Sequence, residues 1–190
     1  MRTWVSEERG IVGVGQGRMT AIATDAPDAL CAVRFSIENA VESPAPENRN
    51  FGLGKVAALV IDVPPGQQRT VRFAVCFYRG GIVTAGLDAS YYYTRYFANV
   101  EEVASYALAR FDELKQAWTA AGALVGAADH LSADQKFMLM HSIRSYYGAS
   151  QLLDVAGEPF WVINEGEYRM MNTLNLTVGQ SFFELRMNPW

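Results

Sequence analysis

The sequence predicts an α+β, multidomain protein in which part of an antiparallel β-sandwich is followed by helices. Three observations predict it. Residues 11–88 carry strand and turn signals with no helical periodicity, the pattern changes after Gly80-Gly81, and apolar residues recur at helical spacing beyond Val100. With 190 residues, 50% of them hydrophobic and 19% charged, the chain is long and apolar enough to bury a real core.

Gly13, Gly15 and Gly17 precede a strand over 18–24 and are expected to form a tight turn or bulge. Their spacing is not Gly-x-Gly-x-x-Gly, and no Walker Lys-Ser/Thr follows, so they do not read as a nucleotide loop. Residues 30–37 alternate as a half-buried strand, and Ser43-Pro44-Ala45-Pro46-Glu47-Asn48 reads as a loop. Gly52-Leu53-Gly54-Lys55 is followed by a strand and offers no helix N-terminus to a phosphate. Aliphatic and β-branched residues fill 56–63, Pro64-Pro65-Gly66 ends that run, and 70–78 forms the next strand. This spacing predicts a hairpin. Consecutive strands without intervening helices favour an antiparallel sheet that forms half of a sandwich.

Beyond the glycines, Val100, Val103, Ala104, Ala107, Leu108, Phe111, Leu114 and Trp118 predict one long amphipathic helix over 100–124. Ser132 suits the N-cap of a second helix over 133–153. A third helix is expected over 174–187, closed by Asn188-Pro189. The chain stops soon after this helical pattern, so its ends are expected to be cut.

Sixteen basic and 20 acidic residues give a formal charge of −4, which exerts no general pull on nucleic acid or anionic lipid. No apolar run reaches the length of a membrane span, and the first residues lack a signal-peptide core. Cys31 and Cys76 lie on separate predicted strands in apolar surroundings and read as buried free thiols rather than a disulfide, which fits a cytoplasmic protein. His130 and His141 have neither His-x-x-x-His nor Cys-x-x-Cys company, so no metal site is expected, and there is no Gly-x-Ser-x-Gly elbow. No cofactor is expected either.

The densest chemistry lies in 158–173. A short apolar strand beginning at Pro159 ends in Asn164, Glu165, Gly166 and Glu167, with Tyr168, Arg169 and Asn172 close behind. Trp161 offers a flat apolar face to a sugar ring, and the amides and charges suit a polyhydroxylated ligand. By composition alone, Glu165 and Glu167 are as consistent with a solvated loop as with a site. Glycoside hydrolysis needs a carboxylate beneath the anomeric carbon and a carboxyl group across the bond. Two Glu residues this close do not face a bond from opposite sides, so one of them is a partner or a sugar ligand. His141 and Arg144 share a helical face near Tyr147; packing is preferred for Tyr147, while His141 reads equally as packing residue or ligand.

Trp161-Val-Ile-Asn-Glu-Gly-Glu-Tyr-Arg-Met-Met-Asn-Thr and Gln180-Ser-Phe-Phe-Glu-Leu-Arg-Met-Asn-Pro-Trp190 closely resemble bacterial β-xylosidases of glycoside hydrolase family 52. The likeness extends to Gly13-Val-Gly-Gln-Gly-Arg18, Phe51-Gly-Leu-Gly-Lys-Val56, Phe73-Ala-Val-Cys-Phe-Tyr-Arg-Gly-Gly81, Asp88-Ala-Ser-Tyr91 and Ile143-Arg-Ser-Tyr-Tyr-Gly148, and so spans nearly the whole chain. The resemblance implies a β-sandwich joined by helical linkers to an (α/α)6 barrel. Residues 1–90 would then be the C-terminal part of the sandwich, 91–130 the linker and 131–190 the start of the barrel. It further implies a retaining enzyme that releases xylose from β-1,4-xylooligosaccharides. The nucleophile falls on Glu165, and Trp161, Glu167, Arg169, Asn172 and His141 are expected to orient it or bind substrate.

The family's acid/base is an Asp beyond these residues, so the chain is expected to be an internal fragment, inactive alone. Xylooligosaccharide is the expected partner, with a homodimer for the whole enzyme, and neither nucleic acid nor membrane is expected. Asn175 departs from the family pattern Asn-Thr-x-Asp-Leu-Thr and removes a negative charge near the site. Two alternatives stand beside this reading: a β-glucosidase of the related family 116, and a catalytically silent carbohydrate-binding fragment.

Overall fold

A computed structural model of the chain describes residues 2–6, 10–16, 20–34, 36–42, 56–84, 86–165 and 170–187. These residues form an α+β structure with antiparallel sheets and five helices, and the chain divides into two compact units. One comprises Met1–Arg79 with Thr94–Lys115; the other comprises Gly80–Tyr93 with Gln116–Trp190.

In the first unit, β1 (Arg2–Ser6), β2 (Ile11–Gln16), β3 (Thr20–Thr24) and β6 (Phe73–Phe77) form one antiparallel sheet in the order β1-β2-β3-β6. β4 (Leu30–Arg34) and β5 (Val56–Val60) pair separately and pack against β2 and β3. Gly13 and Gly15 are not a turn: they lie inside β2, opposite Ala23 and Ala21. Alternation puts them on the face that carries Ile11, Ala21, Ala23, Ala74 and Cys76. Small residues there let α2 (Val100–Ala109) approach closely, burying Val100, Ala104 and Leu108 against the sheet. Gly17, Arg18 and the 51–55 stretch lie outside the described residues.

The expected hairpin between 56–63 and 70–78 is also absent, because β5 pairs with β4 whereas β6 pairs with β3. Pro64 and Pro65 have no N–H with which to extend a ladder. A turn closed by the Gln67 N–H on the Pro64 carbonyl (3.0 Å) redirects the chain. Buried Thr24 then donates its hydroxyl to the Arg72 carbonyl at 2.7 Å, drawing the next strand to β3. A short helix, α1 (Ile37–Glu42), interrupts the strands where none was expected. Ser36 begins it, its Oγ accepting the Asn39 N–H at 3.3 Å. Both cysteines are free, as expected, and burial pushes both thiols above their ordinary pKa.

The long helix expected over 100–124 breaks at Arg110 into α2 and α3 (Phe111–Gly126). Asn99 caps α2 by accepting the Glu102 N–H at 2.9 Å. At the break, the Arg110 guanidinium bonds the Tyr106 hydroxyl at 2.7 Å and the Glu113 carboxylate. Apolar periodicity runs straight through this junction, so the pattern hides it. Burial does not run through: Leu108 is covered, whereas Leu114 and Trp118 are 42% and 71% exposed.

The second unit holds α4 (Ala133–Ala149), α5 (Leu174–Met187) and a three-stranded antiparallel sheet of β7 (Ala89–Tyr91), β8 (Ser150–Val155) and β9 (Glu158–Ile163). Ser132 caps α4 as expected, within a capping box: its Oγ accepts the Gln135 N–H at 3.2 Å, and Gln135 Oε1 accepts the Ser132 N–H at 2.9 Å. Residues 150–153, expected to be helical, instead begin β8. They are drawn out of the helix by pairing with β9, which buries Leu153 and Val162 with Ala89. The strands join through Ala156 and Gly157, with φ of 52° and 93°, the pair of positive values that a tight hairpin turn requires. No helix among the described residues is long and apolar enough to cross a membrane.

The close seat of α2 on the small-residue face predicts two unequal defects. Leu108→Ala should cost about 2–5 kcal/mol through a cavity, and Ala104→Leu about 1–3 kcal/mol through overpacking. Chemical denaturation measures both, and an unchanged midpoint for Ala104→Leu would contradict the close approach.

Candidate active site

β9 is the edge strand of its sheet, so Pro159 near its start costs no pairing that the ladder needs. Val162 points into the core, and by alternation Trp161 and Ile163 point to the other face. The strand's end is tied down twice. The Asn164 N–H donates to the carbonyl of Ala149, the last residue of α4, at 3.0 Å, and Asn164 bridges to Met171. Beyond it, the Glu165 N–H donates to the Met170 carbonyl at 2.8 Å and the Asn172 N–H to the Ile163 carbonyl at 2.9 Å. The chain therefore doubles back along its own strand. Gly166, Glu167, Tyr168 and Arg169 lie outside the described residues, so the expected bend at Gly166 and the expected roles of Glu167 and Arg169 have no structural account.

Asn172 closes this return. Its φ is 50°, a left-handed conformation that Asn tolerates better than most side chains. Its Oδ1 accepts the Ile163 N–H at 2.8 Å, while its Nδ2 reaches the Trp161 carbonyl at 3.4 Å. The amide expected to orient Glu165 or bind sugar is thus engaged with the backbone of β9. The next residue, Thr173, donates its hydroxyl to Glu165 Oε2 at 2.9 Å. Glu165 is half-buried, and its carboxylate is fixed through one oxygen.

Trp161 is held by its edge. Its Nε1–H donates to the Tyr146 hydroxyl of α4 at 3.2 Å, and that hydroxyl donates in turn to Glu184 Oε1 of α5, also at 3.2 Å. The Tyr146 ring packs on Phe183 with centroids 4.6 Å apart. Tyr147 makes T-shaped contacts with Trp161 at 6.4 Å and with Phe183 at 6.3 Å, which fits the packing role preferred for it. The indole N–H is therefore engaged within the protein. What the Trp161 side chain retains for a ligand is its flat face.

His141 stands apart from this group. It is exposed on α4, with its ring 4.4 Å from that of Phe137. It lines an apolar pocket of about 270 Å³ with Trp118, Phe137, Met140 and Tyr147. It also lines a more open cleft of about 840 Å³ that includes Arg144 and reaches Asn164. Glu165 and Trp161 line neither. Asn175 is exposed in the first turn of α5, which has no acidic residue. Among the described residues, no group of three His, Cys, Asp or Glu side chains could hold a metal ion.

The sequence matches the description "Glycosyl hydrolase family 52" over residues 1–190. The chain belongs to glycoside hydrolase family 52. It is 55% identical over 178 residues to a protein named "Beta-xylosidase" from Geobacillus stearothermophilus, covering 94% of this chain and 25% of that protein. A second protein of the same name and organism is 47% identical over 187 residues, covering 95% of this chain and 29% of its own length. The chain thus spans about a quarter of the length of these curated relatives. The expected family-52 resemblance holds, and the family-116 alternative gives way to it.

Sequence reasoning overlooked Thr173, Tyr146 and Glu184 as members of the site. A signal for them existed, because each lies within a segment that carried the family-52 likeness: Thr173 ends one, Tyr146 sits in Ile143-Arg-Ser-Tyr-Tyr-Gly148, and Glu184 follows Phe182-Phe183.

The Asn172 clamp makes a prediction about stability. Asn172→Ala leaves the Ile163 N–H without its acceptor and puts Ala at positive φ, at a cost of about 1–3 kcal/mol. Asn172→Asp keeps an acceptor at that position and should cost less. Thermal unfolding of the two variants in the whole protein checks the order; equal losses would mean that the Oδ1 bond does not hold the return.

Proposed function

We propose that the whole protein to which these residues belong is a retaining β-xylosidase acting on β-1,4-xylooligosaccharides, with Glu165 as its nucleophile. The observation that carries this reading is the half-buried Glu165 carboxylate, fixed through Oε2 at the end of β9 and reached from the same strand as Trp161, in a chain of family 52. Both named relatives supply the substrate class by likeness. The domain reading goes with it: 1–90 as the later part of a β-sandwich, 91–130 as linker and 131–190 as the first part of an (α/α)6 barrel.

The chemistry follows from two carboxyl groups. Glu165 Oε1, which no described hydrogen bond occupies, forms a bond to the anomeric carbon as the bond from that carbon to the leaving oxygen breaks. The leaving oxygen takes the electron pair of the broken bond and a proton from the second carboxyl group, for which the resemblance implies an Asp outside these 190 residues. Water then attacks the same carbon, giving its proton to that second group, now a carboxylate, and Glu165 leaves with its negative charge restored. Two inversions at one carbon retain configuration. Trp161 supplies the apolar face for the xylose ring, and its engaged N–H keeps that face in one orientation. Glu167 and Arg169 are assigned to orienting the nucleophile or contacting sugar hydroxyls; Asn172, its amide engaged with β9, orients Glu165 through the return that brings Thr173 to it, and His141 is assigned to contacting sugar from the open cleft that reaches Asn164.

Glu165→Gly in the whole protein should abolish hydrolysis of an aryl β-xyloside. External azide, entering the space left by the carboxylate, should restore turnover and give the glycosyl azide of inverted configuration. Aryl β-xyloside should also be turned over in preference to aryl β-glucoside. Unchanged hydrolysis by the Gly variant would remove Glu165 from the mechanism.

A further inference from the structure

We propose that Thr173 is a positioning residue for the nucleophile: its hydroxyl holds Glu165 Oε2 and leaves Oε1 as the attacking oxygen. This rests on the reading of Glu165 as nucleophile. A Glu side chain has three rotatable bonds, and Glu165 sits where a strand ends, so its carboxylate needs an external anchor to face one carbon reproducibly. Among the described residues, the Thr173 hydroxyl is the donor that reaches it, at 2.9 Å.

The placement of Thr173 argues against a chance contact. It is the residue immediately before α5, where a Thr commonly turns its side-chain oxygen toward a backbone N–H of the first turn. Here the hydroxyl proton goes to Glu165, and the Thr173 backbone carbonyl accepts the Thr177 N–H at 3.0 Å. Its own position is set from both sides, by the Asn172 clamp on β9 and by the start of a 14-residue helix. Thr173 is half-buried, so water competes only partly for the bond. Three constraints therefore converge on one hydroxyl: a strand return, a helix start and a carboxylate.

Thr173→Val and Thr173→Ser in the whole protein test this, with Glu165→Gly alongside. The Val variant keeps the shape and loses the donor, and should lower kcat/KM for an aryl β-xyloside by roughly ten- to a hundredfold. kcat/KM is the relevant constant because it reports formation of the glycosyl-enzyme. Inhibition by xylose should be unchanged, since the lost interaction orients a reacting atom rather than binding the sugar. The Ser variant, which keeps the hydroxyl, should stay within roughly threefold of the parent. The inference fails if Val is as active as the parent, if Ser falls as far as Val, or if xylose inhibition weakens in parallel with kcat/KM. Should Glu165→Gly retain hydrolysis, the nucleophile reading itself fails, and that result is distinct from any of the other three.

Discussion

The hydrogen bonds between Asn172 and Ile163 decide where the candidate nucleophile can be. Ile163 is buried, so its N–H and carbonyl need partners, and among the described residues β9 is an edge strand with no neighbouring strand on that side. Asn172 meets both demands, its N–H donating to the carbonyl and its Oδ1 accepting the N–H. A side-chain amide thus replaces one group of a missing strand, and the chain turns back without leaving a buried group unpaired. Because it turns back there, Thr173 arrives within hydrogen-bond reach of Glu165, and α5 starts beside the end of β9.

A second constraint is the Tyr146 hydroxyl, where three elements meet. A buried phenol loses water on folding and must find protein partners in exchange. Tyr146 of α4 accepts from Trp161 of β9 and donates to Glu184 of α5, so its one hydroxyl uses both its acceptor and its donor capacity. The orientation of the Trp161 ring is therefore a property of the α4–β9–α5 arrangement rather than of β9 alone. His141, five residues before Tyr146 on the same helix, is exposed and takes no part in this network.

Legibility in the sequence followed how local the determining physics was. α5 and the N-cap at Ser132 were readable because helical period and caps are set within a few residues. β9 was readable because a short β-prone run ends abruptly in polar residues. The hairpin expected over 56–78 failed because strand pairing is decided by partners far away in sequence: β6 answers to β3 and to Thr24, not to the preceding strand. Gly13 and Gly15 were misread because a glycine that admits a helix looks, in isolation, like one that makes a turn. The site divides in the same way. Trp161 and Glu165 stand out by residue type, whereas Thr173 and Tyr146 are ordinary residues until contacts across 8 and 15 positions give them a partner.

The register of β8 and β9 links these local and distant controls. Leu153 faces Phe160, and Gln151 faces Val162, so the core face of the sheet takes Leu153 and Val162 while the opposite face takes Trp161. A slip of one residue would exchange those faces, sending Trp161 into the Ala89–Leu153 core and Val162 toward Tyr146. Two features oppose the slip. The Ala156-Gly157 turn, braced by Asp154 Oδ1 accepting the Gly157 N–H at 2.7 Å, fixes how many residues the turn contains. At the other end, the Asn164 N–H binds the Ala149 carbonyl and fixes where β9 stops. A strand held at both ends has one register, and alternation from Trp161 through Ile163 then carries Glu165 to the Trp161 side of the sheet. The relation between the aromatic face and the carboxylate is thus set by a turn at one end of β9 and by a helix terminus at the other.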